Sequence, residues 1–257
     1  MATLIPVGYM KKIFQVEPQT ILHVGAHLGE ELVDYIDAGW GRKKRIWIEA
    51  QSNLAENLRK RISSDIDSVI EACVWSVTGE EKIFNNATNS QSSSLLEFAE
   101  HSVDYPEITK MSETRMITVR LDDLLSKDEK IDLVNLDIQG AELEAIKGLG
   151  KLAADVKWIY TEVNWKHMYA DCPLIDDLDS ELEKIGFIRV ATKKAFRASW
   201  GDALYVKEVH LPRLLNTRKL IYRIISPFSI NRIIIDQLSR RIKRVCMRIL
   251  RESRIRP

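Results

Sequence analysis

Cysteine is scarce in this chain, which has three in 257 residues, Cys73, Cys172 and Cys246. An odd number of cysteines argues against a disulfide framework, and their spacing is not that of metal ligands. Both features favour a reducing compartment. No apolar run approaches the roughly 20 residues that span a bilayer, and the first residues lack the charged segment and long apolar core of a secretory signal. We therefore expect a cytoplasmic protein.

Acidic residues are nearly absent from the C-terminal part of the chain. Residues 209–257 hold 13 Lys and Arg against 2 Asp and Glu, a net charge of +11, whereas residues 1–208 carry −10. This asymmetry predicts two pieces, a body over 1–208 and a tail over 209–257. Apolar residues recur every three or four positions from Ile230 to Ile249 among Arg and Lys, which predicts a basic amphipathic helix.

The tail has several potential partners. An anionic membrane surface would attract it by about 1 kcal/mol per basic residue, which would place the protein at the inner face of the membrane. A partner protein, a second copy of the chain or the acidic body are alternatives, so an oligomer is open. Tyr222 and Phe228 are the tail's only aromatic residues, and we expect no nucleic acid because few rings are present to stack on bases.

Strand and helix patterns alternate through the body, as in an α/β fold with a mostly parallel sheet and helices on both faces. Strands are predicted at Thr20–Val24, Arg45–Ile48, Val69–Val74, Ile131–Asp137, Val156–Val163, Phe187–Val190 and Ala203–Val206. Helices are predicted at Glu30–Ala38, Ser52–Ile62, Gly140–Ile146 and Ile175–Ile185. The segment of about 79–120 interrupts this rhythm with two short strands and a polar loop. We interpret it as an insertion that determines specificity.

The turn after the first strand lacks the third glycine of a dinucleotide site. It reads Gly25-Ala26-His27-Leu28-Gly29 and is followed by Glu30 and Glu31, which would repel a pyrophosphate but tolerate a ligand with an ammonium group. S-adenosylmethionine is such a ligand. Glu49, at the end of the second strand, would accept hydrogen bonds from its ribose. A tight strand-to-helix turn without a ligand is the alternative, and a nucleotide-dependent oxidoreductase is disfavoured.

Polar residues stand where further strands end, the edge at which open α/β sheets bind ligands. Asp137 and Gln139 follow one strand, and Glu162 and Asn164 alternate along the next, so these two point to the same side. Asp137 would hold the ligand's amino group, orient a substrate hydroxyl or act as a base. Its simpler role is to cap the following helix.

Two further chemical roles are open at this edge. If Asp137 lies beside Glu162 and Asn164, their oxygens could bind Mg²⁺ or Ca²⁺, which would acidify a bound hydroxyl. The alternative is that all three only hydrogen-bond loop backbone or substrate. Among the histidines, His101 is the preferred base because it lies in the insertion.

With these residues assembled, the chain resembles the FkbM-type family of S-adenosylmethionine-dependent methyltransferases over roughly residues 18–207. The matching strings are HVGAHLGEE (His23–Glu31), IWIEA (Ile46–Ala50), NSQSSSLLEF (Asn89–Phe98), VRLDDLL (Val119–Leu125), NLDIQGAELEAIKGLG (Asn135–Gly150), YTEVN (Tyr160–Asn164) and SWGDALYV (Ser199–Val206). Two segments depart from the family pattern: His23 stands where many members have an acid, and Lys193–Arg197 is unusually basic, which suggests an anionic substrate. The tail lies outside the pattern.

The resemblance implies a class I methyltransferase fold, Rossmann-like, with a seven-stranded sheet whose last strand is antiparallel. It implies O-methylation of a sugar, a glycan or a similar polyhydroxylated metabolite, as in polysaccharide biosynthesis. We predict that Gly25, Ala26, His27, Gly29, Glu30, Glu49, Ala50, Asp137 and Gln139 bind the cofactor. We predict Asp137, Glu162, Asn164 and His101 as catalytic residues. The alternative function is a non-catalytic subunit of the same fold that docks a partner through its tail.

Overall fold

The computed structural model describes residues 3–62 and 64–210. The predicted amphipathic tail helix lies outside these residues. The strands are β1 Thr20–Val24, β2 Lys44–Glu49, β3 Asp67–Glu71, β4 Cys73–Val74, β5 Glu81–Ala87, β6 Lys110–Val119, β7 Leu133–Leu136, β8 Trp158–Asn164, β9 Phe187–Lys194 and β10 Trp200–Lys207. The α-helices are α1 Val7–Phe14, α2 Glu31–Tyr35, α3 Ser52–Arg61, α4 His101–Asp104, α5 Leu121–Leu124, α6 Glu142–Gly148 and α7 Ile175–Lys184.

Seven strands form the main sheet in the order β3-β2-β1-β7-β8-β10-β9. The pairs among β3, β2, β1, β7 and β8 are parallel, whereas β10 runs antiparallel to both β8 and β9. The prediction of a mostly parallel sheet with an antiparallel last strand is therefore confirmed. The strand order reverses at β1, which has β2 on one side and β7 on the other, so a crevice opens beyond their carboxyl ends.

Each face of the sheet has its own hydrophobic cluster. One contains Met10 of α1, Tyr35 of α2 and Leu58 of α3, packed around the fully buried Trp47 of β2. The other contains Ile146 of α6 and Leu182 of α7. Helices thus cover both faces, as the sequence pattern predicted, and truncating a buried leucine such as Leu58 to alanine would cost about 2–5 kcal/mol.

Several local features differ from the sequence prediction. The strand expected at Val69–Val74 is interrupted at Ala72, where the chain leaves the main sheet and β4 joins a small sheet of order β4-β6-β5. The helix expected at Glu30–Ala38 becomes a π-helical turn at Ile36–Trp40, because Gly39 has a φ of 83°. Helix α1, whose apolar side is buried, was not predicted.

No helix among residues 3–62 and 64–210 is long and apolar enough to cross a membrane. Cys73 and Cys172 are both buried and free.

Candidate active site

The turn between β1 and α2 passes directly over the end of β7. The N–H groups of Gly25 and Ala26 donate to Ile48 O at 2.9 and 3.0 Å. Gly25 has a φ of 83°, and a Cβ at this position would lie 1.7 Å from the backbone oxygen of Asp137. Glycine is therefore required at position 25 both for its conformation and for the close approach of the next strand.

Glu49 fixes the second wall of the site. Its carboxylate accepts the His27 N–H at 2.8 Å and the Gln51 N–H at 2.9 Å. Burial raises the pKa of this carboxyl, and the two backbone donors oppose the rise. Glu49 also lines a narrow cavity of about 60 Å³ together with Gly25, Ala50 and Asp137. An acceptor for ribose hydroxyls at the carboxyl end of β2 fits an adenosine ligand.

His27 joins the turn to the insertion. Its Nδ1 lies 2.8 Å from Glu30 Oε1, and its Nε2 lies 2.8 Å from Ser90 Oγ. Partial burial acts to raise the pKa of Glu30. The hydrogen bond with His27 acts in the opposite direction, and the pKa is lowered. Gln51 Nε2 also donates to Ser90 O at 3.3 Å. The loop that begins at Asn89 is therefore fastened over the narrow cavity.

A second, larger cavity of about 800 Å³ adjoins the first. Asp137, Gln139, Gly25 and His27 line both cavities. Six carboxyl groups line the larger one, and none of its lining residues in the described part of the chain is Lys or Arg; these acids are Glu30, Glu31, Asp34, Asp137, Glu162 and Asp202. Such a cavity favours a ligand with positive charge, and S-adenosylmethionine has both a sulfonium and an ammonium group.

The buried carboxyls of the larger cavity are hard to ionise. Burial raises the pKa of Glu31 and of Asp202 to about 7. It also raises the pKa of Glu162, and the negative charges of Asp137 and Glu142 raise it further. Desolvation by the surrounding protein also raises the pKa of Asp137. The residue is nevertheless exposed to the cavity, so screening by solvent weakens this rise.

Gln139 connects Asp137 to Glu162. Its Nε2 donates to Asp137 Oδ1 at 2.7 Å and to Glu162 Oε2 at 3.1 Å. Asn164 Nδ2 lies 3.5 Å from Glu162 Oε1, so the two residues share one side of β8 as expected, and Asn164 Oδ1 has no hydrogen-bond partner among the described residues. Asp137 is not the cap of α6, whose N-cap is Ala141.

The predicted metal ligands are not all free to bind an ion. Gln139 occupies one oxygen of Asp137 and one of Glu162. Within residues 3–62 and 64–210, no group of three His, Cys, Asp or Glu side chains could hold a metal ion. The divalent cation stays a prediction.

His101 lies in α4, on the insertion side of the larger cavity. It is 4% exposed, its ring stacks on Phe98 at 5.0 Å between centroids, and its Nδ1 has no hydrogen-bond partner in the described chain. Burial lowers its pKa below the usual value, so the imidazole is neutral at neutral pH and can accept a proton.

The remaining residues that the sequence singled out differ in their position relative to the cavities. Ala26 and Glu30 line the larger cavity. Gly29 packs against α3, where an added Cβ would lie 2.8 Å from Leu58. His23 is buried and stacks on Trp47, and burial lowers its pKa to about 4. The basic residues Lys193, Lys194 and Arg197 line neither cavity.

Several residues of the site were not predicted from the sequence. Tyr169, Tyr105 and Trp200 form the aromatic wall of the larger cavity, and Trp200 Nε1 donates to Tyr105 Oη at 2.9 Å. Asp202 accepts the Leu4 N–H at 2.7 Å and the Tyr160 hydroxyl. Trp200 and Asp202 stand inside the matching string SWGDALYV and could have been found there, whereas no local signal indicates Tyr169.

Fold and site together define a class I methyltransferase. A model of the FkbM methyltransferase domain matches residues 23–189, more than half of the chain. The chain therefore belongs to the FkbM family of S-adenosylmethionine-dependent methyltransferases. A comparison with curated proteins found no match to the chain.

Solved structures of methyltransferases are similar to the chain at low sequence identity. The methyltransferase FkbM from Methylobacillus flagellatus is 16% identical with a TM-score of 0.49; the match covers 73% of this chain and 43% of that one. The chain thus spans less than half the length of that protein. Magnesium protoporphyrin IX methyltransferase from Synechocystis, solved with bound S-adenosylmethionine, is 12% identical with a TM-score of 0.38, covering 78% and 80%. The ribosomal protein L11 methylase from Lactobacillus delbrueckii is 11% identical with a TM-score of 0.41, covering 79% and 76%.

Proposed function

We propose that this methyltransferase transfers a methyl group from S-adenosylmethionine to a hydroxyl of a sugar, a glycan or a similar polyhydroxylated metabolite. The larger cavity is the observation that supports the proposal. It is lined by the Gly25–His27 turn and Asp137 and also by His101, Tyr105 and Trp200. Donor and acceptor would therefore meet within one cavity.

The lining on the insertion side suits a neutral, hydroxyl-rich acceptor. Asn89, Gln91 and Ser92 offer uncharged donors and acceptors, and Tyr105 and Trp200 add apolar ring surface. Ligand sites commonly combine apolar walls with a few convergent polar groups. An anionic acceptor is disfavoured because no Lys or Arg is present among the described residues that line this cavity to neutralise its charge.

In the proposed reaction the donor supplies a methyl group already activated by sulfonium, and the protein aligns the attacking oxygen and takes its proton. Alignment contributes up to about 7–11 kcal/mol, whereas a positioned base adds roughly 10²–10⁴-fold. His101 is the proposed base, because it is a neutral imidazole that lines the cavity. Glu49 would hold the ribose, and Asp137 and Glu162 would face the cationic part of the donor or orient the hydroxyl.

Incubation with methyl-labelled S-adenosylmethionine and a panel of sugars, glycans and polyol metabolites tests this function. We expect label in a methyl ether of the acceptor, and no turnover in Asp137→Ala or Glu162→Ala. Donor binding without transfer to any acceptor would favour the non-catalytic subunit. Calorimetry that detects no binding of S-adenosylmethionine or S-adenosylhomocysteine would reject the enzymatic function and leave the non-catalytic subunit.

Metal assistance at Asp137, Glu162 and Asn164 is a separate part of the proposal. Excess EDTA distinguishes a metal-dependent reaction from a metal-independent one, because a Mg²⁺- or Ca²⁺-dependent reaction stops when the ion is removed. Full activity in EDTA would reject the metal.

The basic tail would bring the enzyme to its acceptor if that acceptor is a membrane-bound glycan precursor. Co-sedimentation of the full chain and of a chain without residues 211–257 with anionic vesicles tests this role. Equal sedimentation of the two would reject the membrane role and leave a partner protein, a second copy of the chain or the acidic body as the partner of the tail.

A further inference from the structure

The basic segment Lys193–Arg197 lines neither cavity, so an anionic ligand inside them does not account for it. The segment forms the tip of the hairpin that joins β9 to β10. The Ala195 N–H donates to Trp200 O at 3.0 Å, and the Ala198 N–H donates to Ala195 O at 3.3 Å. These backbone hydrogen bonds hold the tip in a defined conformation.

The tip combines an exposed aromatic ring with basic groups that have no acidic partner. Phe196 is 87% exposed, more than any other large apolar side chain in the described part of the chain. The Arg197 guanidinium carbon lies 5.1 Å from the centre of the Phe196 ring. Among the described residues, no Asp or Glu forms an ion pair with Lys193, Lys194 or Arg197. Exposed apolar residues are common on protein surfaces, but an aromatic ring beside basic groups is typical of a contact with a membrane surface.

The tip projects from the edge of the sheet at which both cavities lie. Trp200, the first residue of β10, pairs with Asn164, the last residue of β8. The hairpin therefore turns beyond the carboxyl ends of the parallel strands. Trp200 also lines the larger cavity, and its Nε1 donates to Tyr105 on the wall of that cavity. A surface that contacts the tip would therefore lie beside the larger cavity.

We propose that the tip of the β9–β10 hairpin is a membrane contact, in which Phe196 enters the headgroup region of an anionic bilayer while Lys194 and Arg197 bind its phosphate groups. Long basic side chains place their stems along apolar surface and extend their charged ends to the headgroups. Basic residues near an anionic leaflet each add to the attraction.

This contact is separate from the one proposed for the tail, and it does not depend on methyl transfer. Its consequence for the acceptor does rest on the proposed function, because an acceptor anchored in the membrane would then be presented to the larger cavity. The small size of the tip favours a bilayer over a protein partner. A stable protein interface buries roughly 800 Å² on each partner, whereas the tip offers one ring and a few basic side chains.

Sedimentation of the full chain with vesicles of phosphatidylglycerol and phosphatidylcholine, without donor or acceptor, tests the contact. Phe196→Ala should lower the partition coefficient about tenfold, because the ring no longer leaves water. The double variant Lys194→Gln/Arg197→Gln should lower it about twentyfold, and should have no such effect on vesicles of phosphatidylcholine alone. Thermal unfolding should be the same in all these variants, since the three side chains are exposed.

The matched control is Lys127→Gln/Lys130→Gln, which removes the same charge from two exposed lysines in the loop before β7. This loop precedes a parallel strand, so it lies at the opposite edge of the sheet from the cavities. The control should leave vesicle binding unchanged. Equal losses in the two double variants would overturn the inference, because net charge alone would then explain binding.

Insertion of the tip has a signature that the tail cannot produce. Phe196→Trp should retain vesicle binding, and lipids brominated on their acyl chains should quench the new indole, measured as the difference from the unmodified protein. The control is Ile36→Trp, at a 52% exposed position in the turn after α2, whose new indole should not be quenched.

Equal quenching of the two new indoles would overturn the inference, as would unchanged vesicle binding in Phe196→Ala. Binding that depends only on residues 211–257 would also overturn it and would leave the membrane role of the tail. None of these results bears on methyl transfer, because neither donor nor acceptor is present. A failure of the hairpin contact is therefore distinguishable from a failure of the proposed function, which the methyl-transfer assay reports.

Discussion

His27 Nε2 lies 2.8 Å from Ser90 Oγ, and this contact joins the turn that follows β1 to the loop that covers the narrow cavity. The backbone carbonyl oxygen of Ser90 also accepts a hydrogen bond from the Gln51 side chain. With a volume of about 60 Å³, the narrow cavity is too small for an adenosine while the loop is in this position. We therefore expect this contact to slow the release of a cofactor that is bound in the narrow cavity.

Ser90→Ala should make S-adenosylhomocysteine dissociate about fivefold faster, because one hydrogen bond of about 1 kcal/mol no longer fastens the loop. Stopped-flow fluorescence measures the rate. Ser180→Ala is the control, since its hydroxyl donates to Asp176 O within α7, far along the chain from this loop. An unchanged dissociation rate in Ser90→Ala would show that the contact does not limit release.

Gly25→Ala should abolish cofactor binding and destabilise the fold. The added Cβ would overlap the Asp137 backbone oxygen, 1.7 Å away, in addition to the positive φ of 83°. Gly79→Ala isolates the conformational cost, because Gly79 has a φ of 89° with nothing within 4 Å of the new Cβ; it should cost about 1–2 kcal/mol and leave binding intact. Urea unfolding and calorimetry measure both quantities, and equal effects of the two substitutions would contradict the close approach at Gly25.

Glu49→Gln should weaken binding of S-adenosylhomocysteine by at least about tenfold, because a hydrogen bond to a charged acceptor contributes roughly 1.5–3 kcal/mol. The 2′-deoxy and 3′-deoxy analogues identify the contact. If Glu49 holds the ribose, the substitution should have much less effect on an analogue that lacks the bonded hydroxyl. The same loss of affinity for all three ligands would show that Glu49 acts only on the backbone of His27 and Gln51.

His101→Gln should lower the rate of methyl transfer by about 10²–10⁴-fold and remove the acidic limb of its pH profile. Burial lowers the pKa of His101, so in the unmodified enzyme the rate should fall only below about pH 6.5, where the imidazole gains a proton. His167→Gln is the control, because His167 Nδ1 is bonded to Cys172 O at 2.8 Å and His167 does not line the larger cavity. An acidic limb that persists without His101 would assign the base elsewhere.

Glu142→Gln should flatten the dependence of stability on pH. Burial raises the pKa of Glu142 to about 7 in the folded protein, from 4.5. A raised pKa means that this group's contribution is fully present below about pH 4.5 and is lost as the pH rises through 7, an effect of roughly 3 kcal/mol. Thermal unfolding from acidic to mildly alkaline pH measures the slope.

The control for this prediction is Glu144→Gln on the same helix. Partial burial acts to raise the pKa of Glu144, but hydrogen bonds with Lys147 and Ser76 lower it. The carboxyl of Glu144 therefore stays ionised between about pH 4.5 and 7. Its substitution should leave the slope unchanged. A slope that is the same in Glu142→Gln and in the unmodified protein would mean that this carboxyl is ionised in the fold.

The sequence by itself determined the parts of this protein that depend on short spacings. The alternation of strands and helices, the glycine turn at Gly25 and the acid at the end of β2 all follow from local patterns, because side-chain periodicity and backbone conformation are set by neighbours along the chain. The interruption at Ala72 was missed because apolar residues continue across it, and only pairing with β6 places β4 in a second sheet.

Tertiary structure alone decided how the site is assembled. Tyr169 lies 30 residues from Gln139, and Ser90 lies 63 residues from His27. No periodicity relates such distant positions, and an isolated tyrosine or serine gives no local signal. The pKa of Glu162 likewise depends on burial and on the charges of Asp137, Glu142 and Asp202, which lie elsewhere in the chain. The fold brings these groups together because the carboxyl ends of parallel strands share one edge of the sheet.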